Sequence, residues 1–222
     1  MADRNSELQN WLTDILNTSN FNLRSASEDA SFRTYHRLFL KNKTFIVMDA
    51  PPEQENCKSF IKITKKLHAC NANAPVIHDV NIEQGFLLLS DLGDDLYLDK
   101  LNDGSIYDLY SDAINALVNI QNLANVGGLD EYDKNLLSSE MNLFTEWLVE
   151  KHLQIELKET QRKDLTKLFD LLITNAEQQP KVFVHRDFHS RNLMLTKENN
   201  PGIIDYQDAV YGPISYDLVS IL

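Results

Sequence analysis

Apolar positions recur along the chain with two periods, and the change of period divides it. Leu8, Trp11, Leu12, Ile15 and Leu16 fall on one helical face, and Ser6 with Gln9 fits a capping box at its start. Residues 31–39 alternate, and Lys41-Asn42-Lys43 turns into Thr44-Phe45-Ile46-Val47-Met48, which predicts two or three antiparallel strands. Residues 54–70 return to helical spacing with Cys57, Phe60, Ile61, Thr64 and Leu67 inward. Residues 76–80 and 85–89 complete the sheet around a hairpin turn at 81–84. After Ser90-Asp91-Leu92-Gly93-Asp94-Asp95 breaks the apolar pattern, helical periodicity takes over. It runs through Ile106, Leu109, Ala113 and Leu117, then Met141, Phe144, Trp147 and Leu148, then Leu165, Leu168, Phe169 and Leu172. Aromatic residues at this spacing are expected in the core.

Late in the chain the pattern shortens. Lys181-Val182-Phe183-Val184, Leu193-Met194-Leu195-Thr196 and Ile203-Ile204 are too short for helices and suit buried strands, with Pro201-Gly202 as a turn signal. A strand-loop-strand-turn-strand path is expected to bring Asp187, Asn192 and Asp205 to one edge. His185-Arg186-Asp187, four residues and then Asn192 match a kinase catalytic-loop signature, and Asp205 follows at a strand end. Phosphoryl transfer needs a carboxylate facing the attacking hydroxyl and hard oxygen ligands for magnesium beside the nucleotide phosphates. Asp187 fits the first need, Asn192 and Asp205 the second. A neutral amide binds magnesium without adding negative charge next to a triphosphate. Arg191 can meet phosphate or brace the loop, and His185 reads as a brace.

The 222 residues, 43% hydrophobic, suffice for a sizeable core. The net charge of −12 argues against general nucleic-acid binding and against anionic membranes, so positive charge for a nucleotide must be local. Cys57 and Cys70 have no metal-like or redox-like spacing, no secretory signal is visible and no apolar run could span a bilayer, which together predict a cytoplasmic protein. A monomer is expected.

Phe188-His189-Ser190-Arg191-Asn192, Asp205-Tyr206-Gln207-Asp208-Ala209-Val210-Tyr211-Gly212-Pro213 and Met48-Asp49-Ala50-Pro51-Pro52 carry a resemblance. The chain is similar to the aminoglycoside phosphotransferase family, and within it to bacterial kinases that phosphorylate the anomeric hydroxyl of N-acetylmuramate and N-acetylglucosamine in cell-wall recycling. The resemblance implies an α+β, two-lobed, protein-kinase-like fold. A small antiparallel-sheet N-lobe would span residues 1–89, a hinge 90–95, and a mainly helical C-lobe 96–222, cut short at the C-terminus. It implies ATP as co-substrate, Mg2+, and a small sugar as acceptor. Kinases for other hydroxylated metabolites, such as an aminoglycoside or a choline-like amino alcohol, and a catalytically silent nucleotide-binding fragment are the alternatives. It places Ser31 and Arg33 at the phosphates and the backbone of Leu89, Ser90, Asp91 and Leu92 at adenine. His189, Arg191 and Asp208 would touch substrate or brace the loop, and Asp217 would accept catalytic-loop amides.

Two departures stand out. Residues 27–33 hold no glycine, and a methionine, Met48, falls where kinases carry a strand lysine. Arg33 and Arg37 share a strand face and can supply the cation, while Glu53 and Glu55 lack an obvious ion-pair partner. The hinge acids need only be solvated.

Overall fold

The computed structural model describes residues 3–28 and 32–222, with side chains at 27 and 28 left out. The chain forms two compact units, residues 1–116 with 190–208 and residues 117–189 with 209–222.

In the first unit, α1 (Arg4–Leu16) precedes a five-stranded sheet of β1 (Asn22–Glu28), β2 (Thr34–Leu40), β3 (Lys43–Asp49), β4 (Ile77–Asn81) and β5 (Phe86–Ser90) in the order β1-β2-β3-β5-β4. All neighbours are antiparallel. Alternation sorts the side chains onto two faces. Leu38, Val47, Phe86 and Leu88 form one cluster with Leu8, Trp11 and Leu12 of α1. Each such side chain, fully buried, contributes about 1.5–3 kcal/mol over exposure. The opposite face follows from register: Tyr35 pairs with Met48, Arg37 with Ile46, and Ile46 with Leu89. The helix α1 is capped differently from expectation. Asp3 precedes it, its carbonyl accepts the N–H groups of Ser6 and Glu7, and Ser6 lies inside the helix. Gly85 closes the β4–β5 hairpin at φ +73, where a Cβ would lie 1.9 Å from the Ala50 carbonyl oxygen.

Between β3 and β4 lies α2 (Cys57–Ala69), started by Asn56, whose side chain accepts from the Lys58 N–H. It buries Ile63, with the expected Ile61 only partly buried, and it begins three residues later than its apolar pattern suggests. After the short α3 (Tyr97–Lys100) and the long α4 (Ile106–Leu123), the hairpin of β7 (Leu193–Met194) and β8 (Gly202–Ile203) returns to this unit. Asn200 fixes it, its amide donating to Tyr97 Oη at 2.6 Å and Asp112 Oδ2 at 2.7 Å.

The second unit holds α5 (Lys134–Leu143), a π-helix (Phe144–His152), α6 (Glu159–Glu177), β6 (Lys181–Val184), β9 (Val210–Pro213) and α7 (Tyr216–Ile221). The three-strand path expected late in the chain is divided. β6 pairs with β9, a strand the sequence pattern hid among Gly212 and Pro213, whereas β7 pairs only with β8. Tyr132, Leu137, Ile173, Val184 and Val210 form this unit's cluster. Trp147, expected in the core, is 58% exposed, and Leu148, Leu168 and Leu172, which share the helical spacing, are 43%, 48% and 45% exposed. In the π-helix the widened turn takes Trp147 and Leu148 off a 3.6-residue period, whereas Leu168 and Leu172 are exposed on the regular helix α6.

Candidate active site

Strand pairing sets the metal-type pair. Leu193 opposite Ile203 brings their flanking residues together, and the Ile204 N–H donates to the Asn192 carbonyl at 3.1 Å. The Asn192 amide then lies 3.3 Å from Asp205 Oδ2. Asp205 sits at φ +62. A non-glycine residue there costs about 1–3 kcal/mol, which surrounding contacts must offset. The next residue supplies them: Tyr206 is fully buried, stacks 5.0 Å from Phe60 of α2 and meets Thr64 Oγ1 at 2.9 Å. Burial pushes its phenol pKa up.

Gln207, which the sequence reading passed over although it lies inside the quoted run, holds the carboxylate. Its Nε2 donates to Asp205 Oδ1 at 2.8 Å and to Asp208 Oδ2 at 3.3 Å. Its Oε1 is buried with no hydrogen-bond partner among the described residues. A buried acceptor without a donor is costly, and a water on a bound cation would satisfy it. One carboxylate, one amide and an outer acceptor suit magnesium, which keeps waters and takes its remaining ligands from phosphates. Among the described residues no group of three His, Cys, Asp or Glu could hold a metal.

A cavity of about 380 Å³ adjoins this pair, with Tyr35, Arg37, Ile46, Phe60, Asn192 and Asp205 among its lining residues. Leu89, Ser90, Asp91 and Leu92 line it as well, and Arg191, itself exposed, lies at its wall. The chain leaves the sheet after Ser90, so the main-chain groups of Asp91 and Leu92 are not taken up by strand pairing. Two expectations fail here. Asp91 is not a solvated loop acid: its side chain is buried, forms an ion pair with Arg37 2.7 Å from Nε and accepts a hydrogen bond from Arg37 Nη2 at 3.1 Å. Arg37 also meets Asp94 and donates to the Gly93 carbonyl at 2.9 Å, so it is committed to segment 91–94. Burial works against its charge, but the two carboxylates outweigh it and raise its pKa.

Glu55 does have a partner. Arg33 Nη2 bonds Glu55 Oε2 at 2.7 Å, with 11% exposure on each side chain. Burial opposes the Arg33 charge, while Tyr35, Glu55 and Asp208 favour it, and its pKa is raised. Ser31 lies outside the described residues.

Asp187, five positions before Asn192 in the chain, belongs to the second unit. Phe188 is fully buried and packs edge-on to His185 at 5.7 Å. Asp187 receives a bond at its carbonyl from the His189 N–H at 3.0 Å, and its own N–H donates to His185 Nδ1 at 3.3 Å. His189 Nδ1 is buried without a partner among the described residues. Below the loop, fully buried Asp217 accepts the N–H of His185 at 2.7 Å and of Arg186 at 3.0 Å. Burial pushes the Asp217 carboxyl up to about 6 against those two bonds. Arg186, at φ +80, is held by Glu140 of α5, which Tyr132 also meets.

The sequence model of a family described as phosphotransferase enzyme family (APH) matches residues 22–222. A curated relative from Pseudomonas putida, named N-acetylmuramate/N-acetylglucosamine kinase, is 45% identical over 199 residues, covering 90% of this chain and 58% of the relative. One of the same name from Neisseria meningitidis serogroup B is 40% identical over 224 residues, covering 99% and 66%. The chain thus spans about three fifths of the length of the curated relatives it matches. Among solved structures, aminoglycoside phosphotransferase APH(4)-Ia aligns with a TM-score of 0.67 at 14% identity, covering 96% of this chain and 75% of that one. ADP-bound APH(2'')-Ib aligns with a TM-score of 0.65 at 15% identity, covering 96% and 74%. These two likenesses establish the fold.

Proposed function

The chain belongs to the phosphotransferase enzyme family, and from that premise we propose that it transfers the γ-phosphoryl group of ATP to the anomeric hydroxyl of N-acetylmuramate or N-acetylglucosamine. The observation that carries the reaction class is the Asn192–Asp205 pair at a nucleotide-sized cavity. The acceptor rests on the names of relatives 40–45% identical. Such a product belongs to reuse of peptidoglycan sugars in the cytoplasm. Among the described residues no helix is long and apolar enough to cross a membrane.

Asp187 acts as the base. Its carboxylate accepts the proton of the anomeric hydroxyl as that oxygen attacks the γ-phosphorus in line and ADP leaves. An anomeric hydroxyl is more acidic than an ordinary alcohol, so an ordinary carboxylate suffices. Asn192 and Asp205 would hold magnesium, with Gln207 fixing Asp205. When bound, the ion draws charge from the phosphate oxygens. Main-chain groups of Asp91 and Leu92 would receive adenine, and Arg191, His189 and Asp208 would touch substrate or brace the loop. The enzyme acts as a monomer.

Mass spectrometry of the product from ATP and N-acetylmuramate tests the assignment. A sugar 1-phosphate is expected, and none from the 1-deoxy sugar. Phosphorylation of kanamycin or choline in place of the sugar would replace the acceptor with a cationic one, which the net charge of −12 favours. Asp187→Asn should lower turnover about 10²- to 10⁴-fold with ATP still bound, and near-normal turnover would remove Asp187 from the chemistry.

A further inference from the structure

Arg186 stands next to Asp187 at φ +80, a backbone region that favours glycine and that a bulky residue occupies only where its surroundings hold it. Two acids of the second unit do so. Asp217 accepts the Arg186 N–H at 3.0 Å, and Glu140, 46 positions earlier on α5, takes the guanidinium through its Oε1. The two side chains of that ion pair are 27% and 24% exposed, so solvent screens them only in part. Glu140 is itself fixed. Tyr132 donates its hydroxyl to Oε2, and the Tyr216 hydroxyl lies 3.5 Å from the same oxygen, which leaves Oε1 to Arg186. The Tyr132 ring is fully buried, 5.2 Å from the Tyr216 ring and 5.9 Å from Arg186 Cζ. Its N–H donates to the Tyr211 carbonyl at 2.9 Å, and Gly212 of β9 makes the room, since a Cβ there would lie 2.8 Å from the Tyr132 Cβ. Burial and the bond to Glu140 raise the Tyr132 phenol pKa, so it stays a donor. An ion pair at the surface is worth little and needs no such support. The charge of Asp187 reaches this cluster: burial, then Glu140 and Asp187, raise the Tyr216 phenol pKa against Tyr132 and Arg186.

We propose that Glu140 is a positioning residue for Asp187: it holds Arg186 in its left-handed turn and keeps the guanidinium off the neighbouring carboxylate. The proposal rests on the reading of Asp187 as the base. An arginine next to an aspartate in the chain, once released, has the reach and the planar fork to pair with it. Such a pair would stabilise the charged carboxylate and occupy the oxygens that have to take the proton of the sugar hydroxyl. Release would also let residue 186 return to an ordinary φ, which turns the peptide that carries Asp187. Glu140 acts only through Arg186 and touches no reacting atom.

Turnover of ATP and N-acetylmuramate by the full chain, per folded molecule counted by circular dichroism, tests this. Glu140→Gln should lower kcat about 10- to 100-fold while KM for ATP and for the sugar stays within about 2-fold, because a reacting group is misplaced and binding is not. Arg186→Gly puts a residue at ease in the left-handed region and removes the cation, so in that background Glu140→Gln should change kcat by less than about 3-fold. Full kcat in Glu140→Gln, or an equal loss in both backgrounds, would overturn the proposal and leave the kinase reading intact. Near-normal turnover in Asp187→Asn would overturn the reading of Asp187 as the base and the proposal with it. A native chain that phosphorylates no sugar would overturn both. Should Glu140→Gln fail to fold, Glu140→Asp holds the charge one methylene further off, and the ratio of its losses in the two backgrounds decides the matter in the same way.

Discussion

At the scale of single residues, Gln207 and Asp217 do more than the motif residues beside them suggest. Gln207 donates to Asp205 and carries a buried acceptor beside it. Gln207→Leu should raise the magnesium concentration for half-maximal activity about 10-fold, measured by metal titration, because groups that orient a metal ligand are worth that much. Asp217 is an acid that the folded protein prefers protonated, since burial raises its pKa to about 6 despite the two N–H donors. Its contribution to stability is full below the ordinary value of 3.8 and is lost as pH rises through about 6. The difference is on the order of 3 kcal/mol. Asp217→Asn should therefore flatten the fall in stability between those two pH values in urea unfolding. An unchanged slope would assign it to another carboxyl.

At the scale of elements, the strands and α2 were legible because alternation and helical spacing report one-sided burial, and the sheet's two faces follow from them. Asn192 beside Asp205 was legible because both sit at the ends of short apolar runs that pair. What the sequence hid are long-range choices. No spacing rule links Arg33 to Glu55, 22 positions apart, or Arg37 to Asp91, 54 apart. β9 was hidden by Gly212 and Pro213, and the π turn broke the period that predicted a buried Trp147. The Arg37–Asp91 pair ties β2 to the segment after β5. Asp91→Ala leaves a largely buried guanidinium short of an acid, and should cost about 1–3 kcal/mol in urea unfolding and weaken adenosine as well as ATP. Loss confined to ATP would mean that the pair serves the phosphates instead.

At the scale of the whole molecule, the second unit carries an apolar surface that its own core does not use. Phe144, Trp147, Leu148, Leu168, Leu171 and Leu172 are all exposed, Leu171 by 66%. Exposed apolar side chains in such number bind hydrophobic dyes where they adjoin. Replacing Trp147 and Leu171 together by serine should lower dye fluorescence and leave ATP affinity unaltered, and undiminished fluorescence would place the dye elsewhere. The two units are also interleaved in the polypeptide: residues 190–208 belong with 1–116, and 209–222 with 117–189. No single break in the gene can therefore hand one half the cavity and the other half Asp187. Stopping translation after residue 116 would discard both Asn192 and Asp205, and grafting a foreign segment for 117–189 would carry Asp187 away with it. Recombination that swaps intact pieces has to cross this stretch three times to exchange one partner's specificity without unstitching its chemistry.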